Sequence, residues 1–238
     1  MITSPHNEKL KLIRRLGRRR TREREGLFVT EGEDLLLAAR EAGAEPVELL
    51  TAAGEGLGGT EVEPALLAKV SKLESGTRAI GVWREAWAKR PVAPCVYLHG
   101  ISDPGNVGTV IRTANALVGG SIVLGPDCAD PYGAHAVRAS MGAVFGQPLI
   151  RGTVDVTPGP RVALVAHGGE PVDALDAAGT LCFGSEREGL PSEVIEQCDL
   201  QVTIPLREGA ESLNVAAAAA IALQRIASGT GEGDGDGD

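Results

Sequence analysis

The side chains able to do chemistry gather in three polar segments. SDPGNVGTVIRTANA contains Asn106 and Arg112, FGSEREGLP contains Gly184 and Glu186, and IPLREGAESLNVAAAAAIAL contains Ile204, Pro205, Ser212, Leu213 and Asn214. Pro104 and Gly105 turn the chain into a helix predicted over 108–118, with Asn106 capping or approaching it and Val110, Ala114 and Leu117 on its buried face. Arg112 points off that face within the first turns, where a cation opposes the helix dipole by about 0.3–1 kcal/mol. Something anionic should compensate. A substrate phosphate or reacting group and a structural salt bridge to Asp103, Asp130 or Glu186 meet that need equally well. Glu186 offers a carboxylate at a strand end and Gly184 allows close backbone approach, whereas Glu188 is as acidic but could simply be solvated. Ser212 can cap the last helix, and the alanines at 216–220 permit close backbone packing, although helix propensity alone explains them too.

Several familiar chemistries are excluded. The GxxxxG at 184–189 is followed by Leu190 and Pro191 where a phosphate loop needs Lys and Ser or Thr, so nucleoside triphosphate hydrolysis is not expected. No strand precedes a GxGxxG dinucleotide fingerprint, and Ser185 lacks the GxSxG frame of a nucleophile elbow. His6, His99, His135 and His167 have no metal-ligand spacing. His99 and His167 each end a predicted strand and read as structural, with His167 a weak site candidate by position.

The elements that must place these residues alternate in type. From Cys95 the strands CVYLHG, SIVLG, RVALVAH, TLCFG and LQVTIPL are interleaved with helices over 108–118 and near 131–140, and the closing helix follows. That order predicts a mostly parallel sheet covered on both faces, with ligands at the carboxyl ends of its strands. Upstream, GLFVTEG, PVELLTA and TRAIGVWRE read as strands, with helices over 31–42, burying Leu35, Leu36 and Ala39, and over PALLAKVSK. The expected organisation is an N-terminal α/β module over 1–83, a Pro-containing linker over 84–94, a second α/β domain over 95–228 and a disordered acidic tail over 229–238.

Charge is unevenly distributed. The formal net charge is −9, but the tail supplies Glu232, Asp234, Asp236 and Asp238, while Lys9, Lys11, Arg14, Arg15, Arg18, Arg19, Arg20, Arg22 and Arg24 crowd the other end, opposed within that span only by Glu23. Residues 7–25 place Leu10, Ile13 and Leu16 at helical spacing, which predicts a basic amphipathic helix fraying near Gly17. Local charge decides where a polyanion docks, so a phosphate backbone is favoured over a merely solvated face. Aromatics make up only 3% of the chain, which argues against base stacking on rows of exposed rings. Cys95, Cys128, Cys182 and Cys198 form no CxxC pair and are expected to be free thiols in a reducing compartment. With no signal-like or membrane-spanning apolar run, a cytoplasmic location and no membrane partner are expected.

In this order and spacing the three segments resemble the signature motifs of the SpoU/TrmH family of RNA ribose 2′-O-methyltransferases, of the SPOUT class. Asn106 and Arg112 match NxGxxxR; Gly184, Glu186, Gly189 and Leu190 match GxExxGL; Ile204, Pro205, Ser212, Leu213 and Asn214 match IP…SLN. The resemblance covers 95–227, and the basic N-terminal module resembles the substrate-binding domain of many members. It implies a trefoil α/β knot and an obligate homodimer through the knotted domain. It also implies S-adenosyl-L-methionine held around Gly184, Ile204, Pro205, Ser212 and Leu213, with no metal. It nominates Arg112, Asn106, Glu186 and Asn214 as catalytic. A guanidinium stays charged, so Arg112 is expected to stabilise developing alkoxide or anchor a phosphate, with the amides positioning Arg112 or the ribose and Glu186 orienting them. Arg14, Arg15, Arg18, Arg19, Arg20 and Arg138 would hold RNA backbone, ribosomal RNA being favoured over transfer RNA. One departure is visible: RGTVDVTPGP between Ile150 and Arg161 is shorter than the helix usual there. The rival readings are a non-catalytic RNA-binding protein of the same fold and an enzyme methylating a base.

Overall fold

A computed structural model of the chain describes residues 1–73, 76–175, 178–210 and 212–229. The acidic tail beyond 229 lies outside the described residues. In chain order the helices and strands are α1 (Glu8–Leu16), α2 (Arg19–Glu25), β1 (Leu27–Glu31), α3 (Glu33–Glu41), β2 (Glu48–Ala52), β3 (Thr60–Val62), α4 (Pro64–Val70) and β4 (Ala79–Arg84). There follow β5 (Cys95–Leu98), α5 (Pro104–Leu117), β6 (Ile122–Leu124), α6 (Ala134–Ala139), β7 (Leu149–Arg151), β8 (Arg161–Leu164) and β9 (Glu170–Pro171). The chain closes with β10 (Thr180–Phe183), α7 (Ser192–Ile195), β11 (Leu200–Thr203) and α8 (Val215–Gly229). Two compact units result: Met1–Ala86 with Asp130–Gly146, and Trp87–Ala129 with Gln147–Asp238.

In the first unit the sheet runs β1-β4-β2-β3, with β4 antiparallel to both neighbours and β3 parallel to β2. One face buries the apolar stripe of α1, Leu10, Ile13 and Leu16, together with Leu66, Leu67 and Val70 of α4. Pleating sends Phe28 and Trp83, opposite each other in register, to the other face. There the segment 130–146 covers them: Tyr132 and Phe145 stack on Phe28 at 4.8 and 5.6 Å, and Phe145 meets Trp83 edge-on at 5.0 Å. The basic stretch does not fray at Gly17. It breaks there and resumes as α2 after an extended Arg18.

In the second unit seven strands form an all-parallel sheet in the order β7-β6-β5-β10-β8-β11-β9. Such a sheet must be buried on both sides. One side packs Cys95, Tyr97, Val123, Ile150, Ala163 and Cys182 against Val154, Leu190 and Val194. Elsewhere α8 packs along α5 and against β10. The short edge strands β7 and β9, and β3 in the first unit, had no periodicity long enough to be read. The shortened segment after β7 makes a single 3-10 turn, Val154–Val156, which buries Val154 in the place of a helix face.

Candidate active site

The carboxyl ends of β8, β10 and β11 converge on a cavity of about 350 Å³. Its apolar wall comes from Leu164, Val165, Phe183, Ile204, Leu206 and Leu213, and its polar wall from Ser185, Glu186, Glu188, Thr203 and Ser212. The loop after β10 is shaped by its glycines. A Cβ at Gly184 would lie 2.0 Å from the Gly189 carbonyl carbon, so the loop can close only on a bare backbone. Gly189 takes φ +69°, donates its N–H to the Ser185 carbonyl at 3.0 Å, and turns the chain so that Glu186 projects at the rim.

Three elements then meet through side chains. The Asn214 amide donates to Asn106 Oδ1 at 3.0 Å, and the Asn106 amide donates to Glu186 Oε1 in a short hydrogen bond. At the other end Asn214 Oδ1 accepts the Ala216 N–H at 2.9 Å. The relay fixes both amide orientations, since each oxygen must accept and each nitrogen donate. It also ties the Glu186 carboxylate to Asn106 in the first turn of α5, where a helix dipole favours negative charge.

Two capping expectations are corrected. Asp103 caps α5, accepting the Asn106 N–H at 2.8 Å, so Asn106 is inside the helix with its side chain free for the relay. Asn214, not Ser212, takes the capping bond of α8. The earlier start of α5 also removes the dipole argument for Arg112. The helix begins at Pro104, which puts Arg112 past its midpoint, where the positive amino-terminal field has faded. None of the three expected salt bridges forms: Asp103 caps, Glu186 takes Asn106, and Asp130 binds Arg22. Arg112 is exposed, and among the described residues it has no hydrogen-bond or ion-pair partner.

The structure therefore brings Asn106, Glu186 and Asn214 together, and places Gly184, Ile204, Ser212 and Leu213 on the cavity wall. Pro205 and Arg112 do not line the cavity. Arg112 is six residues beyond Asn106, about 9 Å along the axis at 1.5 Å per residue. Leu164, Val165 and Ala166, which carry no motif, also line the cavity; their signal in the sequence is the carboxyl end of the strand RVALVAH, just before His167. Glu188 is exposed and also lines the cavity, and so does Arg187. No group of three or more His, Cys, Asp or Glu among the described residues could hold a metal ion, and no helix there is long and apolar enough to cross a membrane.

The basic stretch is partly neutralised. Lys9 pairs with Glu48, Lys11 with Glu8, Arg19 with Glu23 and Arg24 with Glu25. Arg22 is buried, bonded to Asp130 at 2.5 Å and to the Leu16 carbonyl at 2.9 Å, and so faces no partner. Arg14, Arg15, Arg18 and Arg20 are exposed and form no salt bridge among the described residues; Arg14 donates to the Pro5 carbonyl. Arg138 is exposed on α6, in the same unit.

Comparison with known proteins finds two family matches along the chain, and the segment 130–146, which packs in the first unit, falls within the second match. Residues 7–89 match the MRM3-like substrate binding domain. Over 92% of the chain and 96% of the relative, it is 29% identical to the 23S rRNA (guanosine(2553)-2′-O)-methyltransferase RlmP of Bacillus subtilis (strain 168). An AdoMet-bound rRNA methyltransferase from Sinorhizobium meliloti superposes with a TM-score of 0.82 at 28% identity, covering 94% of this chain and 96% of that one. The SpoU methyltransferase AviRb from Streptomyces viridochromogenes, in complex with AdoMet, gives 0.82 at 26% identity, covering 96% and 100%. The three motifs, joined by the Asn214–Asn106–Glu186 relay beside the cavity, all fall within residues 93–224, which match the SpoU rRNA Methylase family, and the chain belongs to that family.

Proposed function

We propose that this protein transfers the methyl group of S-adenosyl-L-methionine to a ribose 2′-hydroxyl of ribosomal RNA. The observation that carries the reading is the Asn214–Asn106–Glu186 relay at the rim of a cavity walled by Gly184, Ile204, Ser212 and Leu213. The residues suit the cofactor. At about 350 Å³ the cavity falls in the range of small-molecule sites. Its apolar wall suits an adenosine, and Glu186 and Glu188 suit cationic sulfonium and ammonium groups. Pro205, off the wall, fixes the backbone between Ile204 and Leu206, which are on it.

When bound, the cofactor supplies an electrophilic methyl on a sulfonium sulfur. The protein's task is to align a poorly nucleophilic hydroxyl and favour loss of its proton. Asn106 and Asn214, locked by their relay, position the ribose, and Glu186 holds them in register. Arg112 stabilises developing alkoxide or anchors the adjacent phosphate. Its exposed place outside the cavity wall supports action across a homodimer of the methyltransferase unit, one copy's guanidinium serving the other's cavity. The C-terminal segment of the methyltransferase unit threads through a loop as the knot that the motifs imply. Arg14, Arg15, Arg18, Arg19, Arg20 and Arg138 hold RNA backbone, on the strength of their charge, exposure and common unit. RlmP, named for a guanosine of 23S rRNA, supports ribosomal over transfer RNA in the cytoplasm.

The test is to incubate ribosomal and transfer RNA separately with methyl-labelled cofactor and map the modified atom. Label on a ribose 2′-oxygen of ribosomal RNA is expected. Label on a base points to the base-methylating rival, label on transfer RNA alone moves the substrate, and absence of label leaves the RNA-binding protein.

A further inference from the structure

We propose that Cys182 and Cys198 form a reversible disulfide that weakens cofactor binding. The two sulfurs lie 3.8 Å apart in the reduced protein, both cysteines being free. Cys182 is fully buried in β10, and Cys198 is partly exposed just beyond α7. The ring closed by this pair would span the loop of Gly184, Glu186 and Gly189 and also α7, so that Phe183, Leu190 and Ile195 of the cavity wall lie within it.

The chemistry is asymmetric. The hydrogen bond with the Cys182 thiol pulls the Cys198 thiol down, with Arg161 adding to the effect against burial and Asp199. The same contact and burial push Cys182 up, so Cys198 is the attacking thiolate. With a small disulfide such as oxidised glutathione, the Cys198 thiolate attacks one sulfur, forming a mixed disulfide and releasing one glutathione thiolate. Cys182 then loses its proton and attacks the Cys198 sulfur, expelling the second. Two protein thiols are oxidised and one glutathione disulfide is reduced to two thiols. A disulfide needs about 2.05 Å between sulfurs. β10 is clamped between β5 and β8, so the closing movement falls on Cys198 and draws α7 toward the sheet. Ile195, on both α7 and the cavity wall, is displaced with it.

The effect on binding rests on the cofactor reading above; the disulfide itself does not. The whole protein, reduced or treated with oxidised glutathione, would be analysed by mass spectrometry of blocked and unblocked thiols and by calorimetry with S-adenosyl-L-methionine. We expect a Cys182–Cys198 crosslink, on the order of tenfold weaker binding, full recovery on reduction, and neither change in C198S or C182A. Free thiols, or a mixed disulfide that stops at Cys198, would overturn the pairing. A crosslink without loss of affinity would overturn the switch. Reduced protein that binds no cofactor would overturn the cavity assignment, and the switch with it, even if the crosslink forms.

Discussion

In the proposed reaction Arg112 and the amide relay divide the labour, and substitutions should separate them. A guanidinium that meets charge only as the reaction proceeds contributes to turnover and little to cofactor affinity. Arg112→Ala is therefore expected to lower methyl transfer by about 10²–10³-fold, the usual loss for one preorganised donor, with cofactor binding by calorimetry unchanged. Full activity in that variant would remove Arg112 from the mechanism. Asn106→Ala breaks two hydrogen bonds at once, releasing both Glu186 and Asn214. Since Glu186 also lines the cavity, this variant should lose cofactor affinity as well as turnover, and calorimetry finding wild-type affinity would show that the relay does not hold the rim.

At the scale of the element, α1, α2 and the Arg18 between them carry nine cations across Lys9 to Arg24, but pairing leaves four of them, Arg14, Arg15, Arg18 and Arg20, without a salt bridge among the described residues. These should dominate counterion release. Replacing Arg15, Arg18 and Arg20 by Ala should weaken RNA binding and flatten the slope of log affinity against log salt by about 0.7–0.9 for each phosphate that is no longer neutralised. Filter-binding titrations with an unchanged slope would exclude this surface. Arg22 belongs to stability instead. It and Asp130 are both buried, so Asp130→Ala strands a charge and should cost about 3–5 kcal/mol. Thermal melts matching wild type would mean that the pair does not tie α2 to the segment 130–146.

Across the whole molecule, burial sets the alkaline limit. In β5, at the middle of the parallel sheet, desolvation pushes the Cys95 thiol from 9.0 up to about 11 and the Tyr97 hydroxyl from 10.0 up to about 12. Folding favours the protonated form of each group. Their contribution is complete below pH 9.0, the unfolded value of the thiol, and is lost as pH rises through about 11 and then about 12. Circular dichroism should show stability falling above pH 9, and Cys95→Ala should remove the first part of that fall. A stability flat to pH 12 would mean that neither group stays protonated in the fold.

Periodicity and spacing along the chain determined most of the helices and longer strands, the parallel sheet and the three segments of the site. Local information suffices there, because a helix stripe or a buried strand is written into neighbouring residues. Cap positions were less legible: Asp103 and Ser212 both had capping side chains, and only the helix starts at Pro104 and Val215 decided which residues took the bonds. What tertiary structure alone decided are the partners. Asn106 meets Glu186 across 80 residues and Asn214 across 108, and Arg22 finds Asp130 across 108. Each pairing depends on which strands are neighbours and how helices lie on them. For the same reason a basic run that looked uniformly available contains one arginine buried in an ion pair and others neutralised at the surface.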